Sequence, residues 1–186
     1  MIWLLACAVN SEAPPRPVLD DFGPMPAFSM TDQTGTARTQ ADLAGKVLLV
    51  DFIFTSCPDI CPTLTARMAE VGKRYVREPD LHLVSFTVDP VTDTPAVLAA
   101  YGERFNAYPT RWSFYTGELE AVRSAVVGGF KQVMEKSGGT DDPETILHGS
   151  RFIVVDRVGR MRAFVNPMEP GMKELYTAVD AALAEK

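Results

Sequence analysis

Two cysteines, Cys57 and Cys61, are the residues in this chain best suited to chemistry. They stand in Thr55-Ser56-Cys57-Pro58-Asp59-Ile60-Cys61-Pro62, a Cys-x-x-x-Cys motif with one residue more than the Cys-x-x-Cys of dithiol oxidoreductases. A disulfide closes two sulfurs to about 2.05 Å. Metal–sulfur bonds of about 2.3 Å, with zinc thiolate as proxy, hold two of three trigonal ligands roughly 4 Å apart. A loop with one extra residue can open to the second distance and still close to the first. Cys61 precedes Pro62 and so falls near a helix start, where free amides and the helix dipole lower a thiol pKa from about 8.5; both sulfurs are expected to carry thiolate character. A structural disulfide with no chemistry remains the plain alternative.

Two thiolates underfill a metal site, and the chain holds 2 histidines. His82 lies between Leu81 and Leu83 at the opening of a strand and reads as a rim residue. His148, in Ile146-Leu147-His148-Gly149-Ser150, ends a long Gly-rich loop just before another strand. In thioredoxins the turn before the matching strand carries a cis-proline facing the cysteines. Here the nearest upstream proline is Pro143, so the place facing Cys57 and Cys61 falls to His148, unless it is an ordinary loop histidine. Two soft thiolates and an imidazole favour copper. Three such donors suit Cu(I), and the same set with a weak further ligand holds Cu(II).

These residues need a scaffold, and the hydrophobic pattern supplies one. Phe28 to Thr31 and Thr36 to Thr39 flank the turn Asp32-Gln33-Thr34-Gly35 and predict a hairpin. Val47 to Phe54 is a continuous apolar run, expected to be a buried central strand ending at the cysteine motif. Leu64, Met68, Val71 and Tyr75 mark one face of a helix from Pro62 to Arg77. Leu81 to Val88 predicts a strand, and Thr94-Pro95 an N-cap with a first-position proline. Val97, Leu98, Tyr101 and Phe105 are read as that second helix's buried stripe. Arg111 to Tyr115 predicts a strand, Glu118 to Val127 a helix, and Gly128 to Leu147 an acidic, Gly-rich loop. Phe152 to Asp156 and Arg160 to Val165 predict a hairpin, and Leu175, Val179 and Leu183 a last helix. The order is that of an α/β domain of thioredoxin-like type, a central mixed sheet with flanking helices and an N-terminal β-hairpin. It leaves the cysteines beyond the carboxyl end of a central strand, where open α/β sheets place their chemistry.

The chain's 186 residues fit one domain, read as 25–186, with residues 1–24 as leader remnant, anchor and exposed tether. The formal charge of −6 argues against binding nucleic acid. No apolar run approaches the roughly 18 to 20 residues that span a bilayer. The longest, Met1 to Val9, carries Leu4-Leu5-Ala6-Cys7, which resembles a bacterial lipobox whose cysteine is lipidated. With 3 cysteines in the chain, Cys7 is the odd one out, and acylation in an exported protein would account for it.

The chain resembles the SCO/SenC proteins. The resemblance rests on Val50-Asp51-Phe52-Ile53-Phe54-Thr55-Ser56-Cys57-Pro58-Asp59-Ile60-Cys61-Pro62, on Phe86-Thr87-Val88-Asp89-Pro90-Val91-Thr92-Asp93-Thr94-Pro95, and on His148 ahead of Phe152-Ile153-Val154-Val155-Asp156. It implies a thioredoxin-like fold and membrane tethering on the periplasmic side of the bacterial cell envelope. It also implies copper held by Cys57, Cys61 and His148, and delivery of copper or reducing equivalents to the dinuclear copper centre of cytochrome c oxidase. Other copper chaperones or thioredoxin-like reductases are further partners it suggests. Two features depart from the family: a lipobox-like stub replaces the usual transmembrane helix, and the loop before His148 lacks a tyrosine-containing stretch. Asp89 and Asp93 are characteristic, and helix-start structure is the role favoured for them over catalysis. A copper-binding assembly factor, not a turnover enzyme, is the first reading and a thiol-disulfide oxidoreductase the second. A peroxidase is disfavoured, because Phe54 occupies the place where a Thr-x-x-Cys arrangement needs threonine.

Overall fold

The computed structural model describes residues 18–132, 134–136, 146–148, 150–168 and 170–185, with the backbone alone at 135–136 and 146–148. Its seven-stranded sheet has the order β2-β1-β5-β4-β3-β8-β9, and a separate two-stranded ribbon pairs β6 with β7. The strands are β1 (Ser29–Asp32), β2 (Ala37–Thr39), β3 (Val47–Ile53), β4 (Leu81–Thr87), β5 (Trp112–Thr116), β6 (Met134–Lys136), β7 (Ile146–His148), β8 (Phe152–Val155) and β9 (Met161–Val165). The helices are α1 (Ile60–Arg74), α2 (Pro95–Glu103), α3 (Leu119–Arg123) and α4 (Gly171–Ala184).

β3, β4 and β5 run parallel, while β8 returns antiparallel beside β3. Every residue of β3 is buried, Asp51 included, as a largely apolar run between two neighbouring strands requires. α1 and α2 lie on one face, joined where Thr65 Oγ1 meets the Tyr101 hydroxyl at 2.7 Å. α4 joins the same face through the Tyr75 hydroxyl, which donates to Asp180 at 2.7 Å. On the other face Phe28 and Phe130 pack on Phe86, and Phe130 also meets Phe52, edge on. This is the mixed-sheet, thioredoxin-like α/β architecture that the element order implies.

Four expectations need correction. Residues 128–147 are not loop throughout, because Met134–Lys136 and Ile146–His148 pair as an antiparallel ribbon. Val97 is 37% exposed and does not belong to the buried stripe of α2, and Phe105 lies beyond the helix end. The third helix changes character at Ser124, where a π-helical turn runs to Gly129. The tether read as exposed to residue 24 is bound to the domain from Leu19 on. The Arg162 guanidinium donates to the carbonyls of Leu19 and Asp20, Arg160 pairs with Asp21 at 2.7 Å, and Pro24 bridges to Arg160. Acidic and Pro-rich composition reads as solvated chain; Arg160, just before β9, and Arg162 within it, which capture the segment, are remote in sequence.

Candidate metal centre

β3 ends at Ile53, and the chain turns through Phe54 to Asp59 before α1 begins at Ile60, with Asp59 as N-cap. Cys61 is the second residue of the helix, and Pro62 occupies its first turn, where a missing amide hydrogen costs nothing. Cys57 sits in the connecting turn, its amide donating to the Phe54 carbonyl at 3.2 Å. Ser56, Pro58 and Asp59 around it are exposed, whereas Cys57 is 9% exposed and Cys61 is fully buried. Both cysteines are thus buried, Cys61 completely and Cys57 just beneath an exposed turn. The two are held as thiols in side-chain contact, with no disulfide between them.

The expectation that both sulfurs carry thiolate character fails at Cys61. Burial pushes its thiol pKa well up, against a backbone hydrogen bond at Phe54 that pulls it down, and the contact with Cys57 adds to the rise. The helix start favours an anion, but the desolvation of a fully enclosed sulfur is the larger effect.

Beneath the pair lies a polar chain that sequence reasoning assigned no role. Asp51, the one charged residue of β3, is buried, and Ser85 Oγ on the adjacent strand donates to its Oδ1 at 2.5 Å. Trp112 Nε1 donates to Ser85 Oγ at 2.9 Å. The second carboxylate oxygen of Asp51 has no hydrogen-bond partner among the described residues. Burial raises the Asp51 pKa to about 7. A lone Asp in the middle of Val47 to Phe54 was the sequence signal for it, since an unpaired acid in a buried strand is costly unless it has a task or a partner.

Asp93 is the second hidden acid. It is fully buried, and its carboxylate accepts from the Thr55 amide at 3.1 Å, from Thr55 Oγ1 at 2.5 Å and from Thr87 Oγ1 at 2.5 Å. Burial raises its pKa and these hydrogen bonds oppose the rise. The favoured helix-start role is borne by its neighbour Thr94, whose Oγ1 accepts from the Val97 amide, with Pro95 as first helical residue. Asp89 closes the turn before it, its carbonyl accepting from the amides of Thr92 and Asp93.

Of the remaining candidates, His82 is half-buried in β4, its Nε2 at 2.9 Å from Ser113 Oγ, and burial lowers its pKa to about 4. His148 is placed by its backbone in β7, opposite Met134 of β6. Its ring lies outside the described residues, as do Cys7 and the lipobox. Among the described residues no group of three or more His, Cys, Asp and Glu gathers at a metal-binding distance. No helix among them is long and apolar enough to cross a membrane.

Two soft sulfur donors side by side, at the carboxyl end of a parallel strand, define a dithiol protein of the thioredoxin-like class. The SCO1/SenC family model matches residues 21–184, and the chain belongs to that family. It is 30% identical over 171 residues to the SCO1 protein homolog of Bacillus subtilis, covering 91% of this chain and 86% of the relative. A SCO1/SenC family lipoprotein from Bacillus anthracis superposes with a TM-score of 0.77 at 30% identity, over 87% of this chain and 95% of that one. Bradyrhizobium japonicum ScoI, solved with copper bound, matches with a TM-score of 0.72 at 27% identity, over 86% and 98%. BsSco, described as a member of the Sco family of cytochrome c oxidase assembly proteins in which a disulfide switch was identified, gives 0.77 at 29%, over 92% and 100%.

Proposed function

We propose that this chain binds copper through Cys57, Cys61 and His148 and hands it to the dinuclear copper centre in the copper-bearing subunit of cytochrome c oxidase. The observation that carries the reading is the pair of touching thiols, with no disulfide between them, at the strand-to-helix turn of a SCO1/SenC chain. Copper-bound B. japonicum ScoI supports the choice of metal. Soft sulfur suits Cu(I), and an imidazole from the ribbon would complete three donors. Anchoring at Cys7 on the periplasmic side of the cell envelope belongs to the same proposal, and the B. anthracis lipoprotein supports it.

A second reading is favoured by the same pair of touching thiols. Two neighbouring thiols are what a dithiol reductase uses to attack a partner's disulfide and then resolve it. The disulfide switch described for BsSco belongs with this alternative, in which the chain keeps oxidase cysteines reduced.

Copper stoichiometry of the reduced, anaerobically purified protein tests both. About one copper per chain is expected, and Cys57→Ser or Cys61→Ser should each abolish tight binding, since a single thiolate leaves too few soft donors. His148→Ala should weaken binding by about tenfold or more and shift the Cu(II) absorption, leaving oxidation of the cysteine pair unchanged. Full copper retention in either cysteine variant would sink the site. Normal oxidase assembly in His148→Ala cells, with failure in Cys57→Ser cells, would transfer the function to the dithiol.

A further inference from the structure

The turn that carries Cys57 is partly open to solvent. Thr55 and Ser56 are outside any strand or helix, and Ser56, Pro58 and Asp59 face solvent. A ligand turn exposed in this way needs an anchor that fixes it relative to the buried sulfur of Cys61. Only one buried charged group binds it among the described residues. The Asp93 carboxylate receives both the amide and the hydroxyl of Thr55, and its Oδ2 also receives the hydroxyl of Thr87 at the end of β4. Thr87 in turn accepts from the Asp89 amide at 3.0 Å, and the Asp93 amide donates back to the Asp89 carbonyl at 2.9 Å. The turn from Asp89 to Thr94 is thus tied to β4 at both ends, and its only carboxylate with no exposure is directed at the residue two before Cys57. A helix start would be served by Thr94 alone; it does not require Asp93 to be sequestered under another turn.

We infer that Asp93 is a positioning residue for the metal centre: by clamping Thr55 against Thr87 it sets where Cys57 stands relative to Cys61. This rests on the copper reading of the site. Charge-assisted bonds to an ionised carboxylate are short and directional, and three of them converge here. Asparagine fills the same volume but carries no charge, so the bonds from Thr55 and Thr87 lose their charge assistance, and its amide nitrogen cannot accept from the Thr55 amide. The hold on the turn weakens, and with it the placing of the sulfur.

The test uses the reduced full chain and measures copper affinity by competition with a chromophoric Cu(I) chelator, the Cu(II) absorption spectrum, and thermal melting. Asp93→Asn is expected to weaken copper by about tenfold or more, within the range that supporting residues behind a ligand usually show, and to shift the Cu(II) bands. Thr55→Val should move both readouts in the same direction, and Thr55→Ser, which keeps the hydroxyl, should restore them. Leu98→Ala, in the core of α2 and outside the clamp, supplies a variant of lowered melting temperature. If Asp93→Asn and Thr55→Val match Leu98→Ala, with melting lowered but copper affinity and spectrum unchanged, Asp93 is merely structural and the inference is overturned. Should Asp93→Asn fail to fold, Thr55→Val against Thr55→Ser decides the matter alone. Cys57→Ser is the control for the underlying reading: copper retained there removes the site itself, whereas copper lost there but kept in the clamp variants removes only the clamp.

Discussion

Asp51 and His82 show how two buried titrating residues shape stability with opposite sign. The Asp51 carboxyl has its folded pKa raised to about 7 by burial. The neutral acid is what the folded state favours, so the Asp51 contribution is full below an unfolded value of about 3.9 and is lost as pH rises through about 7. His82 runs the other way. Its folded pKa is lowered to about 4, so its contribution is full above an unfolded value of about 6.5 and is lost as pH falls toward 4. Each full shift corresponds to roughly 3 to 4 kcal/mol at most. Between about pH 4 and 6.5 the two slopes oppose, so the contributions of these two residues largely cancel, while buried Asp93, its pKa also raised, acts in the same sense as Asp51. Relative to the parent protein, Asp51→Asn should tilt the stability profile upward with pH across that window. His82→Gln should tilt it downward. Urea unfolding at several pH values checks both signs, and parallel profiles in the three proteins would show that neither group titrates as its burial requires.

At the scale of elements, close backbone approach matters more than periodicity. Gly129 ends the π-helical turn, and a Cβ built there would stand 2.2 Å from Cβ of Pro26 and 2.4 Å from its Cγ. Next to it Phe130 packs edge on to the Phe52 ring and at a tilt to the Phe86 ring. Gly129→Ala should therefore force the segment and the Phe130 ring apart, at a cost of about 1–3 kcal/mol. The penalty should shrink on a Pro26→Gly background, a coupling that a double-mutant cycle in urea reads directly. Equal penalties on both backgrounds would refute the contact. This contact also shows what was legible in the sequence. The run Val47 to Phe54, the Thr94-Pro95 cap and the helix face of Leu64, Met68 and Val71 speak through local pattern, and they placed Cys57 and Cys61 correctly at a strand-to-helix turn. The Met134–Lys136 and Ile146–His148 ribbon was hidden because three-residue strands leave no period to detect. The depth of Cys61, the Ser85 bond to Asp51 and the Thr55 clamp by Asp93 depend on strand register and on residues 34 to 38 positions apart, which no local pattern reports.

Across the whole molecule, the fold separates the site from the point where the chain enters. β8 runs antiparallel to β3, with Val50 opposite Ile153 and Leu48 opposite Val155, so the turn from β8 to β9 lies at the end of the sheet away from the cysteines. Residues 22–25 are stitched to that far turn, Met25 by its amide to the Gly159 carbonyl and Pro24 by its bridge to Arg160. A membrane anchor at Cys7 would thus pull on the end of the domain opposite its chemistry, and the cysteines would face outward. Between Cys7 and Val18 the chain can reach at most about 40 Å when extended, enough for the domain to turn toward a membrane-bound partner. If the chain is anchored and binds copper as proposed, the two should be independent. Cys7→Ser should move the protein from the detergent phase to the aqueous phase when it is expressed in bacteria with a functional export leader, and should leave copper affinity and the Cu(II) spectrum of the purified domain unchanged. Delivery to the oxidase should fall while binding does not, because the tether raises the local concentration of donor near acceptor. If Cys7→Ser and the parent protein partition alike, the anchor is elsewhere or absent; if copper affinity changes with the anchor, the far end of the sheet is not isolated from the site.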